Sequence, residues 1–284
     1  MKPYDAKPNR LLTCLSSDLT GQPQLGSYCA GFEVQQWRCD AYADHLIEWL
    51  ADYALKEDEL QVHHGNMYVR LRQAAVRIYD SEHYKARGEI GEITLHAICR
   101  DFFGTIPFAP RVFYLTSSND VVKSFDMVHV RYMDNEGFEL WLGEAKFYKE
   151  ASSAISAAIS SVETHIDQGF LNREKLILGP QVSKAIPHYE EIRELLSSQT
   201  SLDSLFKTAV FPICIACNSE ATAGNTEMSD AYRKQVAQEL AALEERVAKS
   251  GLTQKIRIML IYVPLGSKEA LADSFDKRLK GIVA

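Results

Sequence analysis

Residues 124–148 read SFDMVHVRYMDNEGFELWLGEAKFY. Two short apolar segments rich in aromatic and β-branched residues, 124–133 and 138–148, flank the sequence DNEG at 134–137. Such segments, separated by Asp, Asn and Gly, are typical of two strands joined by a short connection. The sequence therefore predicts a β-hairpin, and its strands carry the chemically informative residues.

The second strand ends in a charged pair. Successive side chains of a strand point to opposite faces, so Glu144 and Lys146 share one face. Leu140 and Leu142 share that face, which should otherwise be buried. A carboxylate and an ammonium at the end of an apolar face are costly unless they are paired or bound to a metal ion. The alternative for this E-x-K spacing is an ordinary surface ion pair.

The register of the hairpin decides whether Asp126 joins this pair. If residue 132 pairs with 138, Asp126 lies opposite Glu144 on the same face. A two- or four-residue loop would instead place Asp126 on the other face, because a one-residue slip inverts every side chain.

Two carboxylates and a lysine in this arrangement predict a metal-dependent hydrolytic site. Facing carboxylates repel each other and offer hard oxygen ligands to a divalent cation. We expect Mg²⁺, with Mn²⁺ as a substitute, to activate water for phosphodiester hydrolysis. Lys146 would orient or deprotonate that water, or stabilise charge on the phosphoryl oxygens.

A helix predicted over residues 87–99 precedes the hairpin and supplies a further acid. Glu92 is the preferred third metal-side carboxylate, giving a predicted catalytic set of Asp126, Glu144, Lys146 and Glu92. Glu89 stays open as the alternative, since acids in the first turn of a helix are also favoured by the helix dipole alone.

The remaining pattern predicts an α/β fold with a central mixed sheet flanked by helices. The helix and strand segments that indicate this are a short strand at 112–116, an amphipathic helix at 155–166, apolar strands at 209–217 and 256–263, and helices at 229–249 and 268–280.

The first 80 residues are predicted to form a mostly helical extension that could dock a partner. Residues 1–30 are rich in Pro, Gly, Ser and Gln and are predicted to be irregular, and helices are predicted at 35–55 and 66–79. Residues 81–284 are predicted to form the nuclease-like domain.

A helix with Glu, a strand with Asp and a strand with Glu-x-Lys resemble the core of the PD-(D/E)xK nuclease superfamily. Gly88-Glu-Ile-Gly-Glu92 resembles its G-x-x-x-E helix start, Asp126 its Asp, and Glu144-Ala-Lys146 its E-x-K. Asp126 follows Phe125 where the superfamily's name has Pro. The resemblance implies a restriction-endonuclease-like core.

A closer resemblance is to HamA, the nuclease-subunit family of the Hachiman anti-phage system, over roughly residues 80–265. It rests on RGEIGE at 87–92, SFD at 124–126 and LGEAKF at 142–147. It implies a DNA-cleaving effector in anti-phage defence that works with, and is restrained by, a superfamily-two helicase partner (HamB-like). The alternative is a catalytically inactive nuclease-fold adaptor for such an enzyme, and DNA against RNA stays open.

The composition limits how the chain could hold nucleic acid. Its net charge is −7, which argues against tight autonomous DNA binding and suits delivery by a partner. No uncharged apolar stretch reaches the roughly 18–20 residues of a membrane span, and no secretory signal is recognisable, so a cytoplasmic protein is expected.

Other polar residues carry weaker expectations. The six cysteines do not suggest a disulfide framework, and Cys214 and Cys217 are expected in the core rather than at zinc. His165 and Gln168, at the end of the 155–166 helix, and Lys123 and Lys149, beside the hairpin, could touch phosphate, although polar helix faces and exposed lysines are ordinary.

Overall fold

The computed structural model of the protein describes residues 3–79, 88–108, 125–134, 137–182, 184 and 186–284. The strands are β1 (Thr13–Asp18), β2 (Gln24–Cys29), β3 (Phe32–Glu33), β4 (Gln36–Trp37), β5 (Ile106–Pro107), β6 (Met127–Tyr132), β7 (Phe138–Tyr148), β8 (Ala209–Asn218) and β9 (Arg257–Leu265). The helices are α1 (Cys39–Glu48), α2 (Leu50–Ala54), α3 (Met67–Ile78), α4 (Gly88–Phe102), α5 (Ala151–His165), α6 (Gln168–Leu178), α7 (Tyr189–Leu195), α8 (Leu202–Thr208), α9 (Glu220–Gly224), α10 (Asp230–Ser250) and α11 (Lys268–Val283).

A seven-stranded mixed sheet forms the centre of the fold, in the order β1-β2-β9-β8-β7-β6-β5. Strands β2, β9, β8 and β7 are mutually parallel, whereas β1 and β6 run antiparallel to their neighbours. The carboxyl ends of β7, β8 and β9 therefore lie along the same edge. The predicted α/β class with a mixed central sheet flanked by helices is confirmed.

Helices cover both faces of this sheet and enclose two hydrophobic cores. Ile213 belongs to the core beneath α5 and α10, and its neighbour Cys214 belongs to the core beneath α4 and α11. A strand buried on both faces needs a nearly continuous apolar sequence, which is why β8 reads AVFPICIACN. None of the described helices combines the length and apolar character needed to cross a lipid bilayer.

Cys214 and Cys217 behave as core residues, as predicted. Cys214 and Cys217 are both buried but lie in opposite cores, so they do not form a joint metal half-site. All six thiols are free.

Two glycines let α4 pack closely on β7. A Cβ atom at Gly143 would lie 2.7 Å from Leu95 Cδ2, and one at Gly91 would lie 3.2 Å from Phe147 Cβ. Larger residues would therefore push the helix away from the strand. This close packing brings the first turns of α4, including Glu92, beside the carboxyl end of β7.

The strongest sequence patterns are confirmed. The predicted helices at 66–79 and 87–99 correspond to α3 and α4, and the predicted strand at 138–148 is β7. The other confirmed elements are α5, α10 and α11 among the helices and β6, β8 and β9 among the strands.

The prediction that residues 1–30 are irregular is wrong. Strands β1 and β2 lie there, and β2 extends the central sheet by pairing with β9. The predicted helix at 35–55 begins only at Cys39, after a small hairpin, and is divided into α1 and α2 at Trp49. Helices α6 to α8 were not predicted.

Some predictions lie outside the described residues. The strand at 112–116, and the residues Arg87, Lys123 and Ser124, are among them. The division between residues 80 and 81 falls in the undescribed segment 80–87 and stays a prediction.

Candidate functional site

The hairpin has the register that the sequence predicts, and this brings Asp126 beside the end of β7. Val128 pairs with Leu142 and Tyr132 with Phe138, and the backbone N–H of Asp126 donates to Gly143 O at 2.9 Å. The ladder ends at the pair Met127–Gly143, so Asp126 lies just before β6, outside the alternation of the strand. The predicted register is confirmed, while the shared face of Asp126 and Glu144 and their catalytic roles stay predictions.

Glu144 and Lys146 form an ion pair at the carboxyl end of β7. Lys146 Nζ lies 2.5 Å from Glu144 Oε1, and Glu144 is only 3% exposed. Burial raises the pKa of Glu144, but His165 and Lys146 outweigh it, so the pKa lies below its ordinary value. Burial lowers the pKa of Lys146, but Glu144 and Asp126 outweigh it and raise that pKa. Both groups are therefore charged near neutral pH.

His165 contacts Glu144 from the side opposite Lys146. Its Nδ1 lies 3.3 Å from Glu144 Oε2, and its ring stacks on Phe170 and meets Phe125 edge-on. Both Nδ1 and Oε2 are buried without a hydrogen-bond partner among the described residues. Glu144 Oε2 thus has the 3.3 Å contact with His165 but no hydrogen bond among the described residues, which leaves it able to accept a further ligand.

The sequence suggests His165 as a phosphate contact, and the structure places it against Glu144. It continues the buried stripe of α5 formed by Ile155, Ala158 and Val162. A polar residue at helical spacing on a buried stripe must meet another polar group in the core. That spacing was the signal for a contact with Glu144.

Asp126 is held against the backbone of β7. Its Oδ2 accepts a hydrogen bond from Ala145 N at 2.8 Å, and the residue is 7% exposed. A carboxylate that accepts a backbone N–H is fixed in orientation, so Asp126 faces the end of β7 with little rotational freedom.

A pocket of about 500 Å³ opens at this edge of the sheet. Glu92, Asp126 and Lys146 line it, together with Gly88, Ala145, Phe147, Tyr148, Lys149 and Lys268. Tyr53 of α2 donates a hydrogen bond to Glu92 Oε2 at 2.5 Å. Glu92 therefore lines this pocket together with Asp126, and Glu89 does not.

The donor set fits a cation that needs few protein ligands. Among the described residues, no group of three or more His, Cys, Asp or Glu side chains comes close enough to hold a metal ion. The three carboxylates predicted as metal ligands are therefore not preassembled. Mg²⁺ is commonly bound through one or two carboxylates, with water and substrate phosphate completing the shell. Asp126 and Glu144, both at the end of β7, are the candidates for those one or two carboxylates.

Other residues singled out in the sequence lie away from these contacts. Gln168 is the exposed first residue of α6 and does not line the pocket. Lys149 is exposed at its rim.

A second polar cluster, entirely buried, joins α2 to α4. Arg100 Nε lies 2.9 Å and His96 Nε2 lies 2.7 Å from Asp52 Oδ1. His96 Nδ1 is 3.1 Å from His129 Nε2, and Arg100 also donates to Thr105 O at 3.0 Å. Because Asp52 precedes Tyr53, this cluster fixes the turn of α2 that contacts Glu92.

Comparison with known proteins identifies the family of this chain. A protein-family model described as HamA matches residues 9–279, nearly the whole chain. No curated protein and no solved structure shows significant similarity to it.

Proposed function

The chain belongs to the HamA family of Hachiman anti-phage defence components, and on this premise we propose that it is the metal-dependent nuclease of such a system. The observation that carries the proposal is the meeting of Asp126, Glu144 and Lys146 at the end of β7. The buried carboxylate of Glu144, whose Oε2 has no hydrogen bond among the described residues, lies beside the ammonium group of Lys146. This pair suits metal-dependent phosphodiester hydrolysis.

In the proposed reaction, Asp126 and Glu144 hold a divalent cation, with Glu92 as a further carboxylate at the pocket wall. Bound Mg²⁺ would supply Lewis acidity, polarising the phosphate and making water nucleophilic near neutral pH. Glu144 and Asp126 raise the pKa of Lys146, which favours an ammonium group before a cation binds. Lys146 would orient the attacking water or accept its proton, or stabilise negative charge on the phosphoryl oxygens.

His165 and Lys146 hold the carboxylate of Glu144 from two directions. Their contacts with separate oxygens of Glu144 restrict its rotation, so little ordering is needed when the substrate binds.

DNA is the proposed substrate, and a helicase subunit is the proposed partner that delivers it and restrains cleavage. The net charge of −7 supports dependence on a partner. Helix α3 and the loop before it also expose large apolar side chains, at Val62, Met67, Tyr68, Val69 and Val76. Clustered exposed apolar residues are typical of protein-binding surfaces, which supports docking of the partner there.

Cleavage should require a divalent cation. We expect the purified chain, alone or with its helicase partner, to nick or linearise plasmid DNA in Mg²⁺ or Mn²⁺. Excess EDTA should abolish cleavage, because the carboxylates alone cannot activate water. Gel analysis of supercoiled plasmid measures this, with single-stranded DNA and RNA as parallel substrates.

Restoring Mg²⁺ after EDTA should restore cleavage, which controls for irreversible damage. Cleavage that continues at full rate in EDTA contradicts the proposed function. So does a failure to cleave any of the three substrates, both by the chain alone and by the chain with its helicase partner.

A further inference from the structure

The proposed chemistry leaves two lysines at the site without a role. Lys149 follows β7, and Lys268 is the first residue of α11, yet both line the same pocket as Lys146. Three ammonium groups thus border one pocket, together with the carboxylates of Glu92 and Asp126. Lysines beside acids in one pocket suit a phosphate group that is bound together with a cation.

Asn218, the last residue of β8, links the two segments that carry these lysines. Its backbone N–H donates to Lys149 O at 3.2 Å, and its Oδ1 accepts from the backbone N–H of Lys268 at 2.6 Å. The backbones of both lysines are therefore fixed at the edge where the parallel strands end. In open α/β sheets, ligands bind outside this edge.

The side chain of Lys268 is also directed. Its Nζ lies 4.9 Å from the ring centroid of Phe147, the residue next to Lys146 on β7. Phe147 is 5% exposed and Lys268 is half-buried. A cation–π contact of this kind holds the ammonium beside the strand and reduces the entropy lost when an anion binds.

We propose that Lys268 and Lys149 form a phosphate-binding subsite, which holds the backbone of the nucleic acid strand next to the phosphate that is cut. This inference rests on the proposed nuclease function and adds to it a contact with the substrate outside the metal-binding carboxylates. Lysine recognises phosphate as a point charge and reads no base, so the subsite positions the strand without selecting sequence.

The test is steady-state cleavage of a labelled DNA duplex in Mg²⁺ over a series of KCl concentrations. Replacing Lys268 by glutamine should raise KM about three- to tenfold with kcat little changed, because one phosphate contact is lost. The slope of log(kcat/KM) against log[KCl] should become shallower by about one. Two unrelated duplex sequences should be affected alike.

Matched variants separate this role from a structural one. Lys268→Arg should keep the wild-type KM and salt dependence. Lys149→Gln should behave like Lys268→Gln. In the double variant Lys149→Gln/Lys268→Gln, the slope of log(kcat/KM) against log[KCl] should become shallower by about two. Lys277→Gln, an exposed lysine of the same helix, removes an equal charge and should change neither quantity.

The outcomes distinguish a failure of the subsite proposal from a failure of the nuclease proposal. If Lys268→Gln has the same KM and salt dependence as Lys277→Gln while the wild type cleaves, only the subsite proposal is overturned. A Lys268→Gln variant that loses kcat at unchanged KM also overturns it. A wild type that cleaves no nucleic acid with or without its partner overturns the nuclease proposal and the subsite together.

Discussion

Replacing Glu144 by glutamine should abolish phosphodiester cleavage and leave the fold intact. The substitution keeps the shape of the side chain but removes its charge. That charge pairs with Lys146, and we propose that it also binds the cation. Losing several kcal/mol of charge stabilisation lowers the rate by roughly a thousandfold or more. Initial rates of plasmid cleavage in saturating Mg²⁺ measure the effect.

The fold should survive because glutamine keeps the shape of the side chain, and because Lys146 lines an open pocket and retains Asp126 as a nearby negative charge. Circular dichroism and the melting temperature check this. Glu163→Gln, an exposed residue of α5, is the matched control and should cleave like the wild type. A folded Glu144→Gln variant that cleaves within tenfold of the wild-type rate would remove Glu144 from the chemistry.

The second large effect is on stability, at Arg100. Its guanidinium is 2% exposed and pairs with Asp52, while also donating to Thr105 O and Tyr4 O. Burial raises the pKa of Asp52, but His96 and Arg100 outweigh it and lower that pKa, so the carboxylate is buried as an ion. Arg100→Met leaves this charge with His96 alone. We expect the free energy of unfolding in urea to fall by about 3–5 kcal/mol.

The matched control is Arg278→Met, which breaks ion pairs with Asp40 and Asp44, whose side chains are 83% and 63% exposed. Surface pairs contribute about 0–1 kcal/mol, so this variant should differ little from the wild type. Equal losses in the two variants would contradict the role assigned to the buried cluster.

The positions of Glu144 and Lys146 could be predicted because the geometry of a single strand determines them. The alternation along β7 places Glu144 and Lys146 on one face, and the hairpin register brings Asp126 to the end of the same strand. Strands β7, β8 and β9 were recognisable for a similar reason, since strands buried on both faces need long apolar runs.

The parts that were missed depend on contacts between distant segments. Strands β1 and β2 contain polar and small residues, and β2 is a strand mainly through its pairing with β9. The contact of His165 with Glu144 depends on how the end of α5 meets β7. Lys268 reaches the pocket only because β9 runs parallel to β7 and ends at the same edge.

Calorimetric titration with Mg²⁺ tests the central claim most directly, because it measures the cation site without requiring a substrate. We expect the wild type to bind the ion, Asp126→Asn to lose at least about tenfold in affinity, and the exposed-residue control Asp203→Asn to bind like the wild type. A wild type that takes up neither Mg²⁺ nor Mn²⁺, or an Asp126→Asn variant that binds as tightly as the wild type, would contradict the account and favour an inactive adaptor.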